Sequence, residues 1–322
     1  MSNSPSLGPR RPMAHEPPRP SLAGGTDTVS ARSYLFAPGD QTRKLQHALA
    51  SGTDAIIADL EDAVAPSAKA NARRTVANWL ATQPNGERPE LWVRVNASGR
   101  LLAEDVQAVV GPIVTGICLP KTHTAEQVRS LGELLGAAER QASLAEGSTS
   151  IIPLLESAAG ILSARAIAEQ PRVRQLGLGE LDLCAEVGFE PSADERELLS
   201  IRIQVVLASA AAGLAPPIAP ISTDFLDLDA FQQSTEALRR LGFGSRWAIH
   251  PAQVPVINQA FTPTPEQLEA ARRLVERYDG ALDQGVGVCV DEDGQMVDEA
   301  VVRAARRILA RARSTAEKSG LL

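Results

Sequence analysis

Residues 55–59 read Ala-Ile-Ile-Ala-Asp, a continuous apolar run that ends in an acid. Helical patterns flank it, with Thr42–Ala50 before it and Ser67–Leu80 after it. Apolar residues at consecutive positions are typical of a parallel strand covered by helices, whereas a half-exposed strand would alternate. The stretch therefore predicts a buried parallel strand between two helices, the repeating unit of α/β folds.

The same unit recurs on both sides of this stretch, from residue 33 to about residue 260. We count eight strand–helix pairs, whose strands are Ser33–Ala37, Ala55–Asp59, Leu91–Val95, Gly116–Leu119, Ile151–Leu155, Gln175–Leu178, Pro217–Ile218 and Arg246–Ile249. A doubly wound sheet would normally carry a Gly-rich phosphate turn after its first strand, but here that turn reads Ala37-Pro38-Gly39-Asp40. We therefore predict an α/β fold, a (β/α)8 TIM barrel.

The two ends of the chain differ from this repeating region. Residues 1–30 are rich in Pro, Arg, Ser and Gly without apolar periodicity, and we expect a disordered tail there. Residues 31–262 form the predicted barrel domain. Residues 263–322 predict a C-terminal helix–hairpin–helix element, a lid or an oligomer contact, with helices over Thr264–Tyr278 and Val302–Ala312 and a hairpin between them.

The composition excludes several classes of protein. The 322 residues carry a net charge of -7, which argues against a general nucleic-acid binder because phosphate binding needs a basic surface. No run approaches the ~18 apolar residues of a membrane helix, and the first 30 residues lack the apolar core of a signal peptide. Cys118, Cys184 and Cys289 suggest neither a disulfide framework nor a zinc site. We expect a cytoplasmic protein that binds neither nucleic acid nor membranes.

Catalytic groups of a TIM barrel lie at the carboxyl ends of the strands and in the loops that follow. Polar residues stand just after most of the predicted strands: Asp40, Asp59, Glu61, Asp62, Arg94, Asn96, Lys121, Glu156, Glu180, Asp182 and His250. Because these positions converge on one rim, they predict an active site there.

Two of these acids suit a hard metal ion. Glu156 directly follows the fifth strand, and Asp182 lies in the predicted loop after the sixth. Mg²⁺ takes oxygen ligands, keeps several waters and usually needs only one or two carboxylates. An acid/base pair without metal, as in glycosidases, would use the same residue types, but the aromatic content of 3% disfavours that alternative.

Other polar residues have structural alternatives. Arg94 requires an anion, either a neighbouring carboxylate or a substrate carboxylate or enolate oxygen. His250 either caps the next helix or acts as a base, and Asp298 suits the N-cap of the last helix. The acids at 59, 61 and 62 cannot all be buried without partners. The partners that the sequence suggests for them are Arg32, Lys69 and Arg73.

Eight segments, in order, resemble motifs of the citrate lyase β-subunit-like proteins within the HpcH/HpaI aldolase family. They are Arg32-Ser33-Tyr34-Leu35-Phe36-Ala37-Pro38-Gly39, Asp59-Leu60-Glu61-Asp62-Ala63-Val64, Val93-Arg94-Val95-Asn96, Leu119-Pro120-Lys121, Leu155-Glu156-Ser157-Ala158-Ala159-Gly160, Gly179-Glu180-Leu181-Asp182-Leu183, Trp247-Ala248-Ile249-His250-Pro251-Ala252-Gln253 and Gly294-Gln295-Met296-Val297-Asp298. One such motif would be weak evidence, whereas eight in sequence are specific.

The resemblance implies a Mg²⁺-dependent barrel enzyme that cleaves or forms a carbon–carbon bond next to an acyl-CoA thioester. The expected substrate is a 3-hydroxyacyl-CoA such as malyl-CoA or citramalyl-CoA, giving acetyl-CoA and a 2-oxo acid. Glu156 and Asp182 fall on the metal ligands of the family, and Arg94 on its substrate arginine. The positions that the resemblance assigns to substrate or CoA binding are Arg32, Phe36, Pro38, Lys44, Arg94, Gly179, Ile249, His250 and Pro251.

The resemblance also implies a homotrimer or hexamer in which the C-terminal element reaches a neighbouring subunit's site and Asp298 acts in catalysis. The base for the substrate hydroxyl is open, with Glu61 or Asp62 as candidates. Three alternatives stay open: a thioesterase using the same site, a carrier-dependent citryl lyase subunit, and a CoA-independent 2-oxo acid aldolase. The chain departs from the family pattern at Glu180 and Leu181, which precede the metal-site Asp182.

Overall fold

The computed structural model describes residues 31–84, 86 and 88–318, with side chains described as far as residue 312. Eight parallel strands close a barrel in chain order: β1 Ser33–Pro38, β2 Ala55–Asp59, β3 Glu90–Arg94, β4 Gly116–Leu119, β5 Ser150–Leu155, β6 Gly177–Leu178, β7 Ile218–Ala219 and β8 Ser245–Ala248. The barrel closes where Tyr34 of β1 pairs with Ala55 of β2 and with Trp247 of β8. The predicted TIM barrel is confirmed.

Helices follow the strands around the outside of the barrel. They are α1 Thr42–Leu49, α2 Lys69–Ala81, α3 Gly99–Val109, α4 Ala125–Gln141, α5 Ala158–Leu162, α6 Ala164–Ala168, α7 Glu180–Val187, α8 Leu199–Ala211, α9 Leu228–Leu241 and α10 Gln253–Phe261. Apolar residues of the strands and helices form one large buried cluster between the two layers. No helix in the described part of the chain has the length and apolar character needed to cross a membrane.

The barrel interior is filled by a second cluster, built mainly around three aromatic side chains. Trp92, Trp247 and Tyr34 are fully or almost fully buried, and the ring centroids of Tyr34 and Trp247 lie 5.3 Å apart. Gly116 and Gly177 leave room for the two tryptophans, since a Cβ at either position would collide with an indole ring. These three aromatic residues therefore form the barrel core.

The region after β6 differs from the prediction. The long helix expected over Asp194–Ala212 begins only at Leu199, and residues 180–187, expected as a loop, form helix α7. Gly179 precedes this helix and Gly188, at φ 73°, ends it, so α7 lacks the side-chain N-cap that marks a helix start in sequence. As a consequence, Asp182 lies in the first turn of α7, where the helix dipole favours a carboxylate.

The C-terminal element follows the barrel as predicted. Helices α11 Pro265–Asp283 and α12 Glu299–Lys318 pack together, and between them lies a short hairpin of β9 Cys289–Val290 and β10 Met296–Val297. A small core forms around Tyr278, Val297 and Val302. The disordered tail predicted for residues 1–30 lies outside the described residues.

One buried ion pair between the barrel helices leads to a prediction about pH. The side chain of Glu139 on α4 is 0% exposed, and its two oxygens lie 2.8 and 2.9 Å from the Arg172 guanidinium. The backbone N–H groups of Gly147 and Thr149 also donate to it. Burial would raise the pKa of Glu139, but Arg172 and these donors lower it to about 2.

We expect Glu139→Gln to lower the free energy of unfolding by about 3 kcal/mol at neutral pH. Because the pKa is lower in the folded state, this stabilisation is present above about pH 4.5 and is lost as the pH falls toward 2. Urea unfolding at neutral pH and near pH 4 should show a smaller difference between variant and parent at the lower pH. Glu133→Gln, an exposed acid on the same helix, is the control. A pH-independent difference would contradict the assignment.

Candidate active site

A cavity of about 230 Å³ opens at the carboxyl end of the barrel strands. Its wall is formed by Phe36, Pro38, Asp59, Ala63, Arg94, Leu154, Glu156, Leu178, Gly179, Glu180, Leu181, Asp182, Ile221, Trp247 and Ile249. Strand-end residues from β1, β2, β3, β5, β6 and β8 therefore meet here, as the alternation of strands and helices predicts.

Arg94, at the end of β3, projects into this cavity and is held by acids of the neighbouring strand. Its Nε lies 2.8 Å from Asp59 Oδ1 and its Nη2 2.5 Å from Asp59 Oδ2, while Nη1 lies 3.4 Å from Glu61 Oε2. The guanidinium also stacks 4.9 Å from the ring centroid of Phe36. Burial alone would lower the pKa of Arg94, but Asp59 and Glu61 raise it. The group is therefore a fixed cation with a set orientation.

Asp59 at the end of β2 is the residue that orients Arg94, and its side chain is 1% exposed. Besides the arginine, it accepts hydrogen bonds from the backbone N–H groups of Glu61 and Ala63. The partners suggested from the sequence were wrong for this carboxylate. Arg73 pairs instead with Asp105 and Glu104, and Lys69 donates to the backbone carbonyls of Leu60 and Glu61.

Glu61 and Asp62 share a lysine from the loop after β4. Lys121 Nζ lies 2.6 Å from Glu61 Oε1 and 3.4 Å from Asp62 Oδ1. Burial raises the pKa of Glu61, and Lys121 and Arg94 offset this effect only in part. Lys121 itself has φ of 50°, a left-handed conformation that is uncommon for a residue with a side chain.

Glu156, directly after β5, is the most deeply placed acid with no basic partner in the described part of the chain. Its Oε1 accepts a 2.5 Å hydrogen bond from the backbone N–H of Lys121, which the left-handed turn aims at it. Gly179 approaches so closely that a Cβ there would lie 2.9 Å from Glu156 Oε2. Burial, together with the negative charge of Asp182, raises the pKa of Glu156 to about 7, and the Lys121 N–H and Arg94 offset this rise only in part.

Asp182 and Glu156 are chemically suited to a divalent cation. Both line the same cavity, the negative charge of Asp182 raises the pKa of Glu156, and neither acid has an ion-pair partner among the described residues. The described residues offer no cluster of three or more His, Cys, Asp or Glu for a metal. Two carboxylates with room for water match the usual Mg²⁺ set, whereas a closed zinc site would need more protein ligands.

The predicted CoA-binding residues separate into three groups. Phe36, Pro38, Gly179 and Ile249 line the cavity, and His250 and Pro251 follow directly on its rim. His250 stacks on Phe225, with ring centroids 4.9 Å apart, and its Nδ1 accepts from the N–H of Ala252. Its ring therefore binds the backbone just before α10, but the start of that helix has no side-chain cap, so the capping alternative is not realised.

Lys44 and Arg32 lie outside the cavity wall. Lys44 has an exposed side chain on α1, the helix that follows β1. Arg32 precedes β1, so it lies at the opposite end of the barrel from the cavity. Its guanidinium is bound by Asp54 at 2.8 and 2.9 Å and donates to Thr262 at 2.7 Å. The assignment of Arg32 to CoA binding is corrected: its structural role is to tie the amino end of the barrel together.

Asp298 lies on the C-terminal element and is absent from the cavity wall of its own chain. Its Oδ1 accepts a 3.0 Å hydrogen bond from the N–H of Val301 at the start of α12. This is the N-cap contact that its position in the sequence suggested.

Apolar side chains on and near the hairpin are exposed: Leu282, Val286, Val288, Val290 and Met296.

Sequence reasoning missed how Glu180 is used. It opens α7 but turns away from Asp182, and Arg202 of α8 holds both of its oxygens at 2.7 Å. A larger cavity of about 640 Å³ adjoins this buried pair and shares Glu180, Leu181 and Ile221 with the first one. Since the unpaired acids and Arg94 lie in the smaller cavity, we place the active site there.

Sequence comparisons link this chain to known enzymes. The model of the HpcH/HpaI aldolase/citrate lyase family matches residues 32–251. A citrate lyase subunit beta from Leuconostoc mesenteroides subsp. cremoris is 31% identical over 280 residues, which cover 86% of this chain and 92% of that relative. A (3S)-malyl-CoA thioesterase from Cereibacter sphaeroides (strain ATCC 17025 / ATH 2.4.3) is 33% identical over 289 residues, which cover 88% and 95%.

Solved structures show the same fold. The CitE protein of Mycobacterium tuberculosis in complex with magnesium, acetoacetate and coenzyme A aligns with a TM-score of 0.71 and 31% identity, covering 89% of this chain and 100% of that one. The same protein in complex with magnesium and pyruvate aligns with a TM-score of 0.65 and 28% identity, covering 87% and 98%. The similarity extends over nearly the whole of each relative.

Proposed function

Because this chain belongs to the HpcH/HpaI aldolase/citrate lyase family, we propose that it is a Mg²⁺-dependent carbon–carbon lyase for a 3-hydroxyacyl-CoA. Malyl-CoA or citramalyl-CoA would give acetyl-CoA and a 2-oxo acid, or form in the reverse direction. The observation that carries the proposal is the pair Glu156 and Asp182, two acids without a basic partner among the described residues, beside the fixed guanidinium of Arg94. This set can bind a hard cation and an oxyanion side by side.

Glu156 and Asp182 would hold the metal, and the similar CitE protein was solved in complex with magnesium. Mg²⁺ at this position would polarise the hydroxyl and carboxylate oxygens of the substrate. The backbone N–H of Lys121 keeps Glu156 Oε1 in place, and the absence of a side chain at Gly179 leaves room for Oε2. The departure at Leu181 adds apolar surface to the cavity wall and leaves both ligands present.

Arg94 would bind the thioester oxygen. When the bond between C2 and C3 of the acyl chain breaks, its electron pair moves onto that oxygen as an enolate. A guanidinium that is already fixed by Asp59 needs no rearrangement at that moment, which is the basis of electrostatic preorganisation. The remaining electron pair, from the hydroxyl O–H bond, forms the carbonyl of the 2-oxo acid.

Two proton transfers complete the reaction. Glu61 or Asp62, directly or through water, would accept the hydroxyl proton, and the raised pKa of Glu61 brings it closer to neutral pH. Asp298 from a neighbouring subunit would give a proton to the enolate carbon to yield acetyl-CoA. The exposed apolar hairpin next to Asp298 supports contact with another subunit, in a homotrimer or hexamer.

The CoA moiety would extend from the cavity over its β1 and β8 side. Phe36, Pro38 and Ile249 supply apolar surface there, and His250 and Pro251 continue it along the rim. Lys44 on α1 is exposed and available for a phosphate group. Arg32, at the other end of the barrel, has no part in this proposal.

A thioesterase is the second candidate, because one relative is named (3S)-malyl-CoA thioesterase. The same acids would then serve hydrolysis, with Asp298 activating water at the thioester carbonyl. The products distinguish the two reactions: a lyase releases a 2-oxo acid and acetyl-CoA, whereas a thioesterase releases free CoA and an intact hydroxy acid.

We expect cleavage of malyl-CoA or citramalyl-CoA that depends on Mg²⁺ and falls by at least about 100-fold when EDTA removes the metal. Both products should be identified by chromatography, and activity should return when excess Mg²⁺ is added. Free CoA with intact hydroxy acid would favour the thioesterase. Absence of turnover on malyl-, citramalyl- and citryl-CoA would overturn the proposal in favour of a carrier-dependent citryl lyase subunit or a CoA-independent aldolase.

A further inference from the structure

The cavity wall has a marked imbalance of charge. Four of its residues are acids, Asp59, Glu156, Glu180 and Asp182, and in the described chain its one basic residue is Arg94. The three nitrogens of that guanidinium all face Asp59 or Glu61. The site therefore offers a substrate no basic side chain that is free of a protein carboxylate.

The charges of the wall limit how many negative groups of a substrate the site can accept when a divalent cation is bound. Asp59 is balanced by Arg94, and Glu180 by Arg202. A divalent cation would balance Glu156 and Asp182. One substrate carboxylate can bind next to that cation, but a second one would lie against the wall without a counter-ion. That carboxylate would face the acids of the wall, and like charges repel, so such a substrate is disfavoured.

The rest of the wall favours an alkyl group. Leu154, Leu178, Leu181, Ile221 and Ile249 contribute apolar side chains around the acids. Leu181 and Ile221 also line the adjoining larger cavity, so the residues that the two spaces share are apolar except for Glu180, which Arg202 binds. A small hydrocarbon substituent in contact with this surface would leave water, which stabilises binding in proportion to the apolar area buried.

We propose, as a step that rests on the proposed lyase function, that the site selects substrates whose hydroxyl-bearing carbon carries a methyl group and rejects those with a carboxymethyl group there. The corresponding 2-oxo acid half is then a monocarboxylate with an uncharged side chain. The cause is the missing free cation together with the apolar wall at Leu181 and Ile221.

The selectivity is tested by turnover and by binding. The kcat/KM for the methyl-bearing substrate, citramalyl-CoA, should exceed that for the carboxymethyl-bearing one, citryl-CoA, by at least about 100-fold. Calorimetric titration with Mg²⁺ present should likewise show tighter binding of pyruvate than of oxaloacetate. If the kcat/KM values of the two substrates lie within threefold of each other, the inference is overturned, while the proposed lyase function still stands. If neither of these nor malyl-CoA is cleaved, the proposed function fails, and the titration still decides the selectivity.

Leu181→Arg provides the causal test. The side chain is 52% exposed, so a longer one fits without disturbing the core. The added guanidinium should raise kcat/KM for citryl-CoA about tenfold or more and lower it for citramalyl-CoA. Leu181→Met, of similar size and no charge, should keep the ratio within threefold of the parent. An unchanged ratio in Leu181→Arg, with an unchanged thermal midpoint, would show that the missing cation is not the cause.

Discussion

Replacing Glu156 by Gln is expected to lower kcat/KM by roughly 1000-fold and to weaken Mg²⁺ binding measured by calorimetry. An amide cannot supply the negative charge that a hard cation requires, although it keeps the size of the side chain. The hydrogen bond from the Lys121 N–H can still be accepted by the amide oxygen, so the loop after β4 should stay in place. The thermal midpoint should therefore change little, or rise, because the buried charge is removed.

A matched pair on helix α7 serves as the control for this prediction. Asp182 and Glu186 are exposed acids one helical turn apart, but only Asp182 lines the cavity. Asp182→Asn should weaken Mg²⁺ binding and lower kcat/KM, whereas Glu186→Gln should leave both within threefold of the parent. Equal effects of the two changes would show that general surface charge, rather than ligation, controls the metal.

The barrel could be predicted because its signal is local. The run Ala55–Asp59 appears in the structure with the bounds read from the sequence, and so does Gly116–Leu119. The weakest prediction was the strand at 217–218, which the structure places at Ile218–Ala219, because prolines around it remove the usual pattern. Helix α7 was missed since its eight residues begin after a glycine and carry no side-chain cap.

The sequence alone could predict only those site residues that stand at the carboxyl ends of strands. Arg94, Glu156 and Asp182 were chosen because each stands at or just after the carboxyl end of a strand, and all three line one cavity. The choice of Arg32 came from the resemblance alone. Its position before β1 places it at the other end of the barrel, where it binds Asp54.

The ion pairs between neighbouring strands or helices could not be predicted from the sequence. Asp59 pairs with Arg94 because β2 and β3 are adjacent in parallel register, with these two residues opposite each other. Glu180 likewise binds Arg202, 22 positions away, because α7 turns its first residue toward α8. Such pairing depends on side-chain direction after folding, and the charge pattern offered Asp59 three candidate partners, none of which was Arg94.

The second large effect is expected at Asp298, and Asp298→Asn separates its two roles. Asparagine caps a helix as well as aspartate does, so the contact with the Val301 N–H and the thermal midpoint should be retained. An amide cannot donate the proton that the enolate carbon needs, so kcat should fall by roughly 100-fold or more, with Mg²⁺ binding unchanged. Turnover equal to that of the parent would leave Asp298 with the capping role alone.

Mixing two inactive variants tests whether Asp298 acts in a neighbouring subunit. A site made from the Glu156 of one chain and the Asp298 of the next would be intact wherever a D298N chain adjoins an E156Q chain in the required order. Co-expression of D298N and E156Q in equal amounts should therefore restore roughly a quarter of the parental sites. Half of the chains carry Glu156, and half of their neighbours carry Asp298. If Asp298 served the cavity of its own chain, every site would lack one group, and the mixture would be as inactive as its parts.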